Sequence, residues 1–399
     1  MKVLIADKLP LSSVQALEAL GLSTSLRPEL TADELPSAIA GVHVLVVRST
    51  RVTAATFEAA DALQLVIRAG AGTNTIDCDA AALGAIHVAN CPGKNAVAVA
   101  ELTMGLAIAL DRRIPDNVAS MRAGRWEKGV YGKGGGLLGK TFGVAGMGRI
   151  GQEVASRARA FGMKVLAYDP YFSEDRAEEL GVKLVSTIPE LCVGSNVISV
   201  HVPKTDATTH LFDAEAFSQM RPGTFFIHMA RGGVVDDQAM AEAVGRGHIR
   251  AAADVFESEP KGSSAEYSGL FRDVEGFYGT HHIGASTSQA QEAIAQEVVR
   301  ILRHWLETGE ILNCVNRSAP KSAAGQLLLR HHDQVGVLAA VLIAIRAADI
   351  SVKEMKNAIF DGTGSAVATI SLDSAPSDAV LAAVSEASEH VLGVEWVSR

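Results

Sequence analysis

The four cysteines, Cys78, Cys91, Cys192 and Cys314, are scattered, and no two stand at the spacing of a metal site or a disulfide framework. A thiolate metal centre and a stapled secreted scaffold are therefore not expected, and the thiols read as small buried residues of a reducing compartment. Basic charge is also short. A net charge of -9 and a pI near 5.8 leave no surface excess to neutralise nucleic-acid phosphates, although local basic pockets for small anions stay open. The most apolar run, around residues 337–345, falls far below the ~20 residues of a membrane-spanning helix. The start, from Met1 to Asp7, reads as a strand running into a loop. It lacks the longer apolar stretch and small-residue cleavage site of a secretory signal. Tandem repeats and low-complexity tracts are missing too. The expectation is a cytoplasmic protein with no nucleic-acid partner, no membrane partner and no metal.

What is present is regular alternation. A chain of 399 residues is too long for one core and suggests two or three domains. Short apolar strands are predicted at 3–6, 42–47, 65–67, 142–145, 164–168, 197–200, 225–228 and 251–254, with helical periodicity between them at 96–110, 150–161 and 237–246. Strand–helix alternation implies an α/β protein with doubly wound parallel sheets, whose ligands sit in the loops that leave the strands. The segment 129–139 holds six glycines and reads as a loop, a long helix is predicted at 286–307, and residues 316–325 read as a linker of small residues and proline. Beyond it the pattern becomes strand 326–330, helix 336–347, strands 350–360 and 365–372, helix 377–387 and strand 391–397. That βαββαβ order describes a ferredoxin-like module.

The run Gly146-Met147-Gly148-Arg149-Ile150-Gly151 follows a strand and opens a helix, the context in which a Gly-x-Gly-x-x-Gly pattern has meaning. Gly146 permits the tight turn, Gly148 lets the backbone approach a pyrophosphate, and Gly151 lets the helix pack on the strand. The helix N-terminus supplies free N–H groups and a positive dipole end for the anion. The next strand ends at Asp169, a carboxylate placed to hold ribose hydroxyls and repel a 2′-phosphate, which points to NAD rather than NADP. Three later strand ends carry Ala230-Arg231-Gly232, Asp254 to Pro260 with Glu259 between them, and His281-His282-Ile283-Gly284. Hydride transfer from a 2-hydroxy acid needs these side-chain types. A base takes the hydroxyl proton, a carboxylate holds and charge-balances the imidazole, and a guanidinium grips the substrate carboxylate.

With those motifs in order, and with Val47-Arg48-Ser49-Thr50, Arg68-Ala69-Gly70-Ala71-Gly72 and Ala100-Glu101-Leu102-Thr103 before them, the chain resembles the D-2-hydroxy-acid dehydrogenase family from about residue 1 to 316. The resemblance implies that Arg231 binds and polarises the substrate, Glu259 partners the base, and His282 is the acid/base. It implies that His201, Val202, Pro203, Ala230, Asp254 and Gly284 line the cofactor site with the 146–151 turn. It further implies a Rossmann-type NAD domain (96–285) inserted in a flavodoxin-like substrate domain (1–95 and 286–316), followed by a linker (317–325) and a terminal domain (326–399). His281 stands where the family usually has proline, and His228 where it usually has asparagine. Both read as packing or surface residues.

Arg48 and Arg68 end strands of the first domain, where two guanidiniums suit a phosphate better than a methyl or hydroxymethyl tail. Ser49 and Gly70 accompany them. Members of the resembled family that oxidise 3-phospho-D-glycerate carry arginines at these positions, so the implied substrate is a phosphorylated 2-hydroxy acid. A glyoxylate or hydroxypyruvate reductase, or a non-enzymatic NAD-sensing scaffold, would be the alternatives. The terminal module resembles an ACT regulatory domain, and a homo-oligomer, dimer or tetramer, is expected. Asp333 and Asp349 stand where serine-inhibited relatives have amides. An ionised carboxylate only accepts hydrogen bonds and repels the carboxylate of serine, so weak or no serine inhibition is expected.

Overall fold

The computed structural model describes residues 1–260, 264–317 and 323–398, and divides into two compact units, Met1–Asn316 and Arg317–Arg399. The centre of the expected linker, residues 318–322, lies outside the described residues.

The first unit holds two parallel sheets. In the first, β1 (Lys2–Ile5), β2 (Ser23–Leu26), β3 (Val44–Val47), β4 (Leu65–Arg68) and β5 (His87–Asn90) lie in the order β2-β1-β3-β4-β5. This is the flavodoxin-like doubly wound order, with the chain direction switching between β1 and β3. β3 reads Val-Leu-Val-Val and is buried along its whole length, as a parallel strand covered on both faces must be. The helix Ser288–Thr308 returns to this sheet late in the chain. Its Ile294, Val298, Ile301 and Leu302 share one core with Val3, Ile5, Val44 and Ile67.

The second sheet contains β6 (Thr141–Ala145), β7 (Lys164–Tyr168), β8 (Lys183–Leu184), β9 (Val197–Val200), β10 (Thr224–His228), β11 (Ile249–Ala253) and β12 (Phe277–Gly279). Their order, β12-β11-β10-β9-β6-β7-β8, is the Rossmann winding with its switch point between β6 and β9. The helices Ala96–Arg112 and Arg149–Ala160 cover one face, joining Val144, Val165 and Ile227 in a core. A separate core around Phe212, Phe217 and Phe226 covers the other.

In the second unit β13 (Gly325–His332), β14 (Val352–Phe360), β15 (Ser365–Leu372) and β16 (Val391–Ser398) form an antiparallel sheet ordered β14-β15-β13-β16. The helices Val337–Ala347 and Asp378–Glu386 bury Val341, Ile345 and Val384 against Leu327, Leu329 and Ile370. Asp333 donates its backbone N–H to the Gly364 carbonyl, and Asp349 sits in the left-handed region at φ 57°.

Two sequence expectations need correction. The 129–139 loop begins inside a short helix, Lys128–Tyr131, despite its glycines. Four strands, β2, β5, β8 and β12, were not anticipated. All four are sheet edges, where burial on both faces is incomplete and no continuous apolar run is required.

Candidate active site

Glycines shape the turn after β6. Gly146 adopts φ 95°, and a Cβ on it would fall 2.9 Å from the Val202 backbone nitrogen of the neighbouring strand end. A Cβ on Gly151 would lie 1.9 Å from the Gly146 carbonyl oxygen, so this helix can approach its strand only with glycine there. Around the Cβ position of Gly148 no atom lies within 4 Å, which leaves the open backbone approach a pyrophosphate needs. Asp169 Oδ2 accepts the Met147 N–H at 2.8 Å and Oδ1 accepts that of Tyr171 at 2.9 Å. Each carboxylate oxygen keeps a further lone pair for ribose hydroxyls. The turn, the helix N-terminus and this carboxylate fit NAD. Arg149 reaches away from the turn, its Nη1 donating to the Pro92 carbonyl at 3.1 Å, while Ile150 packs into the core.

At the far end of β9, His201 bonds through Nε2 to Ser199 Oγ at 2.8 Å, and Pro203 accepts the Thr208 hydroxyl. Beside it stands His228, fully buried, with no well-formed hydrogen bond to either ring nitrogen among the described residues and the Arg231 backbone near enough to interact. Burial pushes both imidazoles down to about 3. The full burial of His228 agrees with the expected packing role.

His282 and Glu259 meet directly, Nδ1 to Oε2 at 2.8 Å. The Glu259 hydrogen bond raises the His282 imidazole above its ordinary value, outweighing partial burial. Burial pushes the Glu259 carboxyl up, but the His282 bond and charge, the Phe256 N–H and Arg231 together hold it below the ordinary value. His282 occupies the left-handed region at φ 53°, a strained place for a non-glycine residue. Asp254 supports that conformation. Its Oδ1 accepts from Thr280 Oγ1 at 2.6 Å and the Ile283 N–H at 2.8 Å, and its Oδ2 accepts the Gly284 N–H at 2.8 Å. Asp254, expected to line the cofactor site, uses its oxygens to hold the histidine loop. His281 instead lines a cavity of about 700 Å³ that adjoins Glu259 and His282 and is walled by Phe256, Tyr267 and Phe277.

Three arginines converge in the cleft between the sheets. The Arg68 guanidinium occupies the space a Cβ on Gly70 would take, with Nη1 only 1.4 Å from that position. Arg231 comes from the second sheet, its Nη2 3.5 Å from the Cβ position of Gly72. Burial lowers the Arg68 guanidinium, and the charges of Arg231 and Arg48 lower it further. Its Nε is buried without a partner, and among the described residues none of the three forms a salt bridge. Clustered cations without salt-bridge partners have the charge to suit a multiply charged anion. Ser49 is exposed at the cleft and donates its N–H to Asp7. Asp7, two residues beyond β1, also contributes here and carries no motif of its own.

Residues 104–284 match the family described as D-isomer specific 2-hydroxyacid dehydrogenase, NAD binding domain. The chain is 41% identical over 335 residues to the D-3-phosphoglycerate dehydrogenase of Methanocaldococcus jannaschii, covering 82% of this chain and 62% of that protein. It thus spans about three-fifths of the length of that relative. It is 44% identical to the hydroxypyruvate reductase of Thermotoga maritima over 68% of this chain and 87% of that protein. Among solved structures, the TT0316 protein of Thermus thermophilus superposes with a TM-score of 0.71 at 31% identity, over 79% of this chain and all of the other.

Proposed function

This chain belongs to the D-isomer specific 2-hydroxyacid dehydrogenases, and on that premise we propose that it oxidises 3-phospho-D-glycerate to 3-phosphohydroxypyruvate with NAD, the reaction that opens serine biosynthesis. The observation that carries the substrate assignment is the trio Arg48, Arg68 and Arg231 without salt-bridge partners beside the His282–Glu259 pair.

Bound NAD supplies the hydride acceptor. Arg231 binds the substrate carboxylate and polarises C2, and Arg48 and Arg68, with Ser49 and Gly70 shaping the loop, hold the phosphate. His282 takes the C2 hydroxyl proton on Nε2 while Glu259, bonded to Nδ1, fixes the tautomer and stabilises the imidazolium. The cofactor rests on Gly146, Gly148, Gly151 and Asp169 and on the backbone of Arg149 and Ile150, with His201 to Pro203, Ala230, Asp254, His282 and Gly284 around the nicotinamide end. In this reading residues 1–95 and 286–316 bind substrate, 96–285 bind NAD, and 326–399 form an ACT-type regulatory domain. The working form is a cytoplasmic homo-oligomer, which the exposed Trp126 and Leu138 (80% and 82%) favour.

The identity to a hydroxypyruvate reductase favours a second reading, reduction of the unphosphorylated acid. One assay separates them: NADH oxidation with 3-phosphohydroxypyruvate, hydroxypyruvate and glyoxylate side by side. We expect kcat/KM to favour the phosphorylated acid by about tenfold or more, the scale of one charged hydrogen bond. Equal or reversed preference overturns the proposal.

A further inference from the structure

Asp7, two residues beyond β1, takes no part in the chemistry above, yet it is tied to the phosphate side of the cleft by four contacts of its segment. Its Oδ2 accepts three consecutive backbone N–H groups, from Arg48 at 2.7 Å and from Ser49 and Thr50 at 3.0 Å each. The Thr50 hydroxyl then donates to the carbonyl of Ala6, the residue before it, at 3.1 Å. Successive N–H groups aimed at one anionic oxygen hold a turn in a single conformation, and the charge makes each bond stronger than a neutral one. The turn so held is the one that begins with Arg48. Topology explains the placement. β1 and β3 are neighbours across the switch point of the first sheet, so the loops that leave them face each other where open parallel sheets hold ligands.

Electrostatics adds a minor contribution from the carboxylate, smaller than the other charges acting on Arg68. The Arg68 guanidinium is opposed by the charges of both Arg231 and Arg48 until substrate arrives. Asp7 is the carboxylate whose charge works against the lowering of Arg68 by burial, Arg231 and Arg48.

Resting on the phosphorylated-acid reading, we propose that Asp7 is a specificity-determining positioning residue, which touches no substrate but holds the Arg48 turn so that the phosphate grip is assembled in advance. Preorganisation of this kind acts on binding of the phosphate and not on the proton and hydride steps at C2.

The test compares wild type, Asp7→Ala, Asp7→Asn, Arg48→Ala and the Asp7→Ala/Arg48→Ala double variant, measuring kcat and KM for 3-phosphohydroxypyruvate and hydroxypyruvate. Asp7→Ala should raise KM for the phosphorylated acid about tenfold, with kcat and the hydroxypyruvate values within about twofold of wild type. Asp7→Asn, which keeps the shape and loses the charge, should raise the same KM by about threefold or more. On the Arg48→Ala background, removing Asp7 should add less than about twofold, because the residue acts through Arg48. Equal loss on both substrates, additive losses in the double variant, or an unchanged KM in Asp7→Asn overturns the inference. If wild type shows no preference for the phosphorylated acid, the substrate reading itself falls. If wild type and Arg48→Ala behave as expected and the Asp7 variants match wild type, only the positioning role falls.

Discussion

His282 sits in a conformation that few non-glycine residues adopt, and three hydrogen bonds to Asp254 hold its loop there. Strain kept at a site by surrounding bonds fits a base that must meet its substrate at a set angle. His282→Ala should therefore lower kcat by at least ~10²-fold, the usual scale for a lost general base, while NADH binding measured by fluorescence titration stays near wild type. The Glu259 bond raises the imidazole, so the neutral base forms only at higher pH than it otherwise would. Glu259→Gln should move the acid limb of the forward kcat/KM profile to lower pH as well as reduce the rate. Normal turnover in His282→Ala would pass the role to His281. The sequence favours His282 over its neighbour because Ile283-Gly284 follows it, but the contacts that hold its loop were not readable there. Asp254 reaches the 280–284 loop from 26 or more positions away in sequence, a contact that no local pattern encodes.

At the scale of elements, the strand–turn–helix around Gly151 separates two jobs of glycine. A Cβ on Gly151 would collide with backbone at 1.9 Å, whereas one on Gly148 meets nothing within 4 Å. Gly151→Ala should cost about 1–3 kcal/mol in denaturant unfolding, because the helix must shift from its strand. Gly148→Ala should unfold like wild type and lose NAD affinity, since its side chain enters only the space left for the pyrophosphate. Equal stability of the two variants would contradict this division. Buried central strands such as β3 and β9 were legible because parallel strands covered on both faces need unbroken apolar runs. The edge strand β2, Ser-Thr-Ser-Leu with alternating half-exposure, carries no such signal. Its place is set by pairing with β1.

For the molecule as a whole, stability should be acid-sensitive. His201 and His228 are held neutral by burial, with folded values near 3 against an ordinary 6.5. Between those values the unfolded chain binds protons that the folded one refuses, so stability falls as pH drops below about 6.5. Each such imidazole contributes a slope of up to about 1.4 kcal/mol per pH unit. Asp237 opposes the trend, since burial raises it to about 6 and the folded state then holds an extra proton at mildly acid pH. A comparison with His228→Asn isolates one imidazole: the stability difference between the two proteins should change in the variant's favour as pH falls from 6.5 toward 4. Parallel curves would show that His228 accepts a proton without cost.

The sequence by itself determined the α/β alternation, the glycine turn with its carboxylate one strand later, and the three strand ends that carry Arg231, Glu259 and His282. These depend on spacing within one strand–helix unit, where backbone geometry is local. It did not determine that His228 would be fully sealed from solvent, that Asp254 would serve the histidine loop, or that Arg68 would lie against Gly70 within reach of Arg231 from the other sheet. Nor did it single out Asp7, whose three bonds run to residues 41 to 43 positions later. Those features arise only when strands distant in sequence become neighbours at a switch point. Burial then fixes which polar atoms find partners, and only the assembled sheets bring the charges into reach of one another.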